Sequence, residues 1–209
     1  MSTTPGSLVM AAIHEAIPPM STWRLDPAHT QINFSAKHMM VTTVRGTFHD
    51  VEGTIVLDEA DPARSGGEFH VRTASIDTAF GARDAHLRSP DFFDAEAYPT
   101  IDFVSTAISA LGGDAFDVTG DLTIRDTTRP ITFRVELEGI VPGMSGGRHA
   151  GLAASARLDR DAWGLNWNLA LEQGGWLVSR EIKLEIAIAA DEVEAVEPVE
   201  AIELVAATS

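Results

Sequence analysis

A chain of 209 residues, 44% apolar and 22% charged, has the size and balance of one globular domain that can bury a sizeable core. It has no cysteine, which excludes disulfides, thiolate catalysis and Cys-ligated metal centres. A formal net charge of −16 repels phosphate backbones and anionic membranes, so nucleic acid is not an expected partner.

Residues 1–22 read as a flexible extension, with a short helix over 11–17 ended by Pro18 and Pro19. The first residues carry no Lys or Arg, and His14 and Glu15 interrupt the apolar run that begins at Leu8, so no secretory leader is expected. No apolar run approaches the length of a membrane span. A cytoplasmic location is the resulting expectation.

From Trp23 the pattern becomes that of strands. Residues 31–37 alternate, with Ile32, Phe34 and Ala36 on one face and Gln31, Asn33, Ser35 and Lys37 on the other. Strands are also expected over 53–57, 68–77, 99–111 and 116–124. A turn over 126–130 leads into a strand at 131–140, where Ile131, Phe133, Val135 and Leu137 form the dry face. Strands over 151–158 and 178–190 follow in the same manner. Only residues 81–94 break the series, and they read as a short helix stopped at Pro90. Long strands with one wet and one dry face are the mark of antiparallel sheets. Alternation alone does not choose between a sandwich and a barrel. Residues 191–209 bring six acidic residues, Asp191, Glu192, Glu194, Glu197, Glu200 and Glu203, with no Lys or Arg, and read as a solvating flexible tail.

Several motifs occur in order across 23–190. They are Trp23-Arg-Leu-Asp26 with Pro27-Ala28-His29, Lys37-His38, Val44-Arg45-Gly46-Thr47-Phe48, Gly53-Thr-Ile, and Ser75-Ile-Asp77. The most specific is Arg83-Asp-Ala-His-Leu-Arg-Ser-Pro-Asp-Phe-Phe93, followed by Tyr98-Pro99, Phe103-Val-Ser-Thr106, Gly120-Asp-Leu-Thr-Ile124 and Arg129-Pro130. With these motifs, residues 23–190 resemble the YceI family of polyisoprenoid-binding, lipocalin-like bacterial proteins. The resemblance implies an all-β fold, an eight-stranded antiparallel barrel with a short capping helix. It also implies an elongated apolar cavity that takes an isoprenoid or fatty-type lipid, and it implies a possible homodimer. One turn departs from the family form Gly-Val-Thr-Lys-Pro, since Arg125-Asp-Thr-Thr-Arg-Pro130 keeps the basic residue before proline and loses the glycine.

The residues expected at the ligand are Phe34, His38, Phe48, Arg83, His86, Phe92, Phe103, Phe133, Trp163 and Trp167. The aromatics either line a cavity or simply fill the core. Arg83 suits an oxyanion because its planar fork binds two oxygens at once, although Arg83, Asp84, His86 and Arg88 also read as an ordinary exposed helix surface, with Asp84 and Arg88 spaced to pair. His29 and His38 either meet a head group or clamp turns, and the clamp is the favoured reading. The seven histidines show no metal-ligand spacing, and no nucleophile elbow or phosphate loop is present. No cofactor, metal or catalytic residue is expected. The leading function is carriage or sequestration of a long apolar amphiphile. The alternatives are an enzyme acting on a lipid or quinone-like substrate with His and Asp as acid and base, and a stress-related interaction protein with a filled barrel.

Overall fold

The computed structural model describes residues 20–193 except Ser145 and Gln173. The expected helix over 11–17 and the tail beyond Val193 lie outside the described residues.

In chain order the elements are β1 (Ser21–Leu25), β2 (Gln31–His38), β3 (Thr42–Phe48), β4 (Val51–Leu57), β5 (Gly66–Arg72) and β6 (Ile76–Asp77), then α1 (Gly81–Arg88). They continue as β7 (Thr100–Gly112), β8 (Ala115–Ile124), β9 (Thr127–Pro142), β10 (Arg148–Asp159) and β11 (Val178–Val193). The ring β1-β4-β5-β7-β8-β9-β10-β11 is closed by β1 on β11. It is an eight-stranded antiparallel barrel, and closure removes the edges that an open sheet would expose.

Three of its staves are broken and carry on beyond the ring. β2 prolongs β1 along the edge of β11, β3 pairs with β2, and β6 pairs with β3. The strand expected over 68–77 is therefore two strands. A 3₁₀ turn at Thr73–Ser75 divides them, with Thr73 buried and its N–H donating to Pro99 O at 3.0 Å. The turn expected at 126–130 is shorter than expected. It consists of Arg125 and Asp126 alone, because Ile124 already pairs with Thr127. Arg125 adopts φ 58 there, the left-handed conformation in which a glycine carries no Cβ penalty.

Alternation decides what points inward. On β9, Ile131, Phe133 and Val135 are buried, whereas Thr132, Arg134 and Glu136 are exposed. Two glycines admit aromatic rings across the ladder. A Cβ on Gly46 would lie 2.4 Å from Phe34 Cζ, and one on Gly120 would lie 2.4 Å from Phe103 Cζ. At the end of the barrel where β1 starts, Trp23 is 1% exposed and donates its indole N–H to Ser21 Oγ at 2.8 Å. The Arg148 guanidinium lies over Trp23 at 5.1 Å and bridges Glu192 at 2.7 Å and Glu59 at 2.5 Å. Asp191 and Glu192, which the sequence reading gave to the tail, thus sit in the closing strand.

α1 packs at the opposite end. Its Arg88 donates to Ala74 O at 2.8 Å and Ile76 O at 2.6 Å, latching the helix to β6. The pairing of Asp84 with Arg88 that helical spacing suggests does not form. Asp84 is buried and instead accepts from the Thr78 N–H at 2.9 Å and the Thr78 hydroxyl at 2.5 Å. No helix among the described residues is long and apolar enough to cross a membrane.

Candidate functional site: an apolar cavity along the barrel axis

The dry faces do not meet in the middle. They enclose a cavity of about 830 Å³ whose wall runs from Trp23, Leu57 and Ala190 at one end to Phe34, His38 and Trp167 at the α1 end. Between these ends the wall is built from aliphatic and aromatic side chains such as Ile182, Leu184, Ile186 and Ile188 of β11. The volume falls within the roughly 300–1,000 Å³ typical of small-molecule sites.

Nine of the ten sequence-expected residues are on this wall: Phe34, His38, Phe48, Arg83, His86, Phe92, Phe103, Phe133 and Trp167. Seven of them fall into three aromatic groups. Phe34 and Phe48 are 5.6 Å apart, and Phe48 meets Phe93 edge-on at 5.9 Å. Phe103 stands edge-on to Phe133 at 5.2 Å. Under α1, His86 is edge-on to Trp167 at 4.6 Å and to Phe92 at 5.1 Å. Trp163 is the exception. It is 5% exposed, packs in the core and donates its indole N–H to Leu122 O at 3.0 Å, so it braces β8 from outside the cavity wall.

Apart from Asp102, which is held by His70, the charged wall residues separate by sign. At the Trp23 end stand Asp58, Glu59 and Asp114. At the α1 end stand Lys37, His38, Arg83, His86 and Arg160. Arg83 donates through Nε to Thr78 Oγ1 at 2.7 Å and through Nη2 to Thr78 O at 2.8 Å. His86 Nε2 lies 3.0 Å from Asp91 Oδ2. Arg160 is 3% exposed, and its only acceptors among the described residues are the carbonyls of Ser179, Leu165 and Trp167. Burial away from water pulls its guanidinium below the usual arginine range.

Sequence reasoning missed Arg160 and Trp23. Arg160 sits between Asp159 and Asp161 and reads as part of an exposed charged run. In the structure those two carboxylates pair with Arg180, at 2.8 and 2.9 Å, while the other oxygen of Asp161 stays buried. Trp23 had a signal in its motif and in the alternation of Ser21, Trp23 and Leu25.

The remaining histidines among the described residues lie off the cavity wall. His29 Nδ1 lies 2.6 Å from Asp26 Oδ2, while Asp26 Oδ1 accepts from the Ala28 N–H, and this holds the turn between β1 and β2 as the clamp reading expected. His70 is held by Asp102 at 2.7 Å, and that contact raises its pKa above the ordinary histidine value. Among the described residues no three His, Asp or Glu side chains converge on a metal-sized site.

The YceI-like domain model matches residues 23–190. A UPF0312 protein of Staphylococcus aureus is 34% identical over 167 residues, covering 79% of this chain and 95% of that protein. Protein YceI of Escherichia coli O157:H7 is 34% identical over 160 residues, covering 77% and 80%. Among solved structures, Burkholderia cenocepacia BcnA superposes with a TM-score of 0.68 at 24% identity, covering 79% of this chain and 98% of that one. The Campylobacter jejuni YCEI protein gives 0.65 at 27% identity, covering 76% and 90%. A polyisoprenoid binding domain from Saccharophagus degradans shares the fold with a TM-score of 0.61 at 12% identity, covering 82% and 98%. With most of its length matched by the domain model and by these relatives, the chain belongs to the YceI family.

Proposed function

We propose that this protein binds a long apolar amphiphile, such as a polyisoprenoid, in the barrel cavity, and that it carries or sequesters that ligand without transforming it. The observation that carries this reading is the cavity itself, about 830 Å³ with an aliphatic and aromatic wall running most of the barrel's length. A barrel filled by its own side chains would leave no such space, which weighs against the interaction-protein reading. Removing apolar area from water contributes roughly 25 cal/mol per Å², so a tail laid along this wall supplies most of the binding free energy. The description of the Saccharophagus degradans domain as polyisoprenoid-binding points to the same ligand class.

Of the two histidines that an acid–base reading would use, His29 has a side chain 74% exposed on an outer turn away from the cavity wall, whereas His86 is on the wall, 3.0 Å from Asp91. The test is organic extraction and mass spectrometry of protein purified from bacterial cells, followed by incubation with prenyl alcohols. A stoichiometric lipid, co-purified or taken up, is the expected result. Protein that carries none and gains none overturns the reading.

A further inference from the structure

The two arginines on the cavity wall have no carboxylate partner. Arg83 and Arg160 form no salt bridge among the described residues, in a chain whose net charge is −16. The nearby carboxylates are committed elsewhere. Asp84 bonds Thr78, Asp91 bonds His86, Asp102 bonds His70, and Asp159 and Asp161 bond Arg180. Arg160 is the sharper case. A cation 3% exposed costs free energy unless it is paired, and its three acceptors are neutral carbonyls. Its Nη2 is buried with no hydrogen-bond partner. The carbonyls explain why the side chain is held in place. They bring no negative charge, and the two aspartates that act on Arg160 through space, Asp159 and Asp161, are shared with Arg180.

The surroundings suit an anion. Arg160 lies beside Phe92 at 6.0 Å, and Phe92 and Trp167 are 5.4 Å apart, so water is kept from the charge. At the opposite end Asp58 and Glu59 are paired with Arg64 and Arg148, and the wall also carries Asp114, so no arginine there is left for an anion among the described residues. An amphiphile with a negative head is therefore drawn to the α1 end, which sets its direction in the barrel.

We propose that the α1 end of the cavity is an oxyanion subsite in which Arg160 and Arg83 hold the phosphate or carboxylate head of the bound amphiphile, with its tail directed toward Trp23. This rests on the proposed binding of an apolar chain in the cavity and names the class of head group.

The experiment is a titration of the full chain, followed by tryptophan fluorescence, with hexadecyl phosphate, hexadecanoate, hexadecanol and hexadecylamine, each below its aggregation threshold. One or both oxyanions should bind about tenfold or more tighter than the alcohol, as expected for charge-assisted hydrogen bonds, and the amine should bind weakest. Which oxyanion binds tighter tells a phosphate head from a carboxylate head. Arg160→Gln and Arg83→Gln should each cut the oxyanion advantage to within about threefold of the alcohol, corresponding to the loss of one charged contact. Arg83 is only partly buried, so its variant keeps the test available if Arg160→Gln does not fold. Equal binding of phosphate, carboxylate and alcohol by the wild type overturns the subsite while leaving the apolar-chain reading intact. So does an advantage that survives in folded variants. Failure of all four ligands, the alcohol included, overturns the apolar-chain reading itself.

Discussion

Gly46 faces Phe34 across the β2–β3 ladder, and the exchange Gly46→Ala asks how tightly that contact is set. The added methyl would lie 2.4 Å from Phe34 Cζ, 2.7 Å from Phe34 Cε1 and 2.8 Å from Thr78 Cγ2. Thr78 cannot give way easily. It is 6% exposed and is tied to Asp84 and Arg83 through its hydroxyl. Phe34 must therefore move, and as a wall residue it moves into the cavity. Overpacking of this kind costs about 1–3 kcal/mol, whereas replacing a strand glycine by alanine returns roughly 0.5–1 kcal/mol. The net expectation is a loss of about 1–2 kcal/mol, or roughly 2–8 °C in Tm for a domain of this size. Urea denaturation and thermal melting measure it, and binding of a prenyl alcohol should weaken in parallel. Gly81→Ala is the control. It has no atom within 4 Å of the new Cβ and begins α1, so it should be neutral or stabilising by up to about 1 kcal/mol. A Gly46→Ala protein as stable as the wild type would refute the reasoning.

Other outcomes follow from the same geometry. Asp84→Ala leaves two Thr78 donors unsatisfied where α1 begins and should cost about 2–3 kcal/mol, seen as a lower urea midpoint and faster proteolysis near α1. Glu192 is held below its ordinary pKa of 4.5 by the Arg148 hydrogen bond. Its contribution is complete above that value and is lost as pH falls through the lower folded value, so Glu192→Gln should flatten the acid limb of a stability–pH curve. His70 behaves in the opposite sense. Its pKa is raised above 6.5 by Asp102, so its contribution is complete below 6.5 and is lost as pH rises through the higher folded value. With the side chain 38% exposed, that slope should be small, and His70→Gln should remove it. Lengthening a prenyl alcohol should tighten binding by up to about 0.8 kcal/mol per buried methylene until the cavity is full, and a flat series would contradict a chain lying along the wall.

Much of the barrel could be read from alternation, because a period of two with one wet face is imposed wherever a strand has the cavity on one side and water on the other. That is why Phe34 and Phe133, on the dry faces of their strands, are turned inward. Closure could not be read in this way, since it depends on the pairing of β1 with β11, whose partners Thr22 and Val193 are at opposite ends of the domain. Local strand signals also failed at Thr73, which tertiary hydrogen bonding pulls out of an otherwise extended run. Trp163 and Trp167 are both tryptophans four residues apart near the end of β10, and no periodicity outside a strand says which of them meets the cavity. Arg160 was hidden by composition. Two flanking aspartates made it look like a solvated surface charge, whereas the left-handed Gly164 that follows it helps fold the segment back over its guanidinium.

The seam that closes the barrel has a consequence in time. Its four residue pairs join the first strand to the last, and β11 also pairs with β10 and β2. During synthesis β11 is the last of the described strands to emerge. Until it does, the nascent sheet has two raw edges, and the whole apolar wall lies open to water or to a passing lipid. The sixteen-residue β11 therefore acts as the fastener of the container, since the ring is complete only when that strand has paired with both β10 and β1.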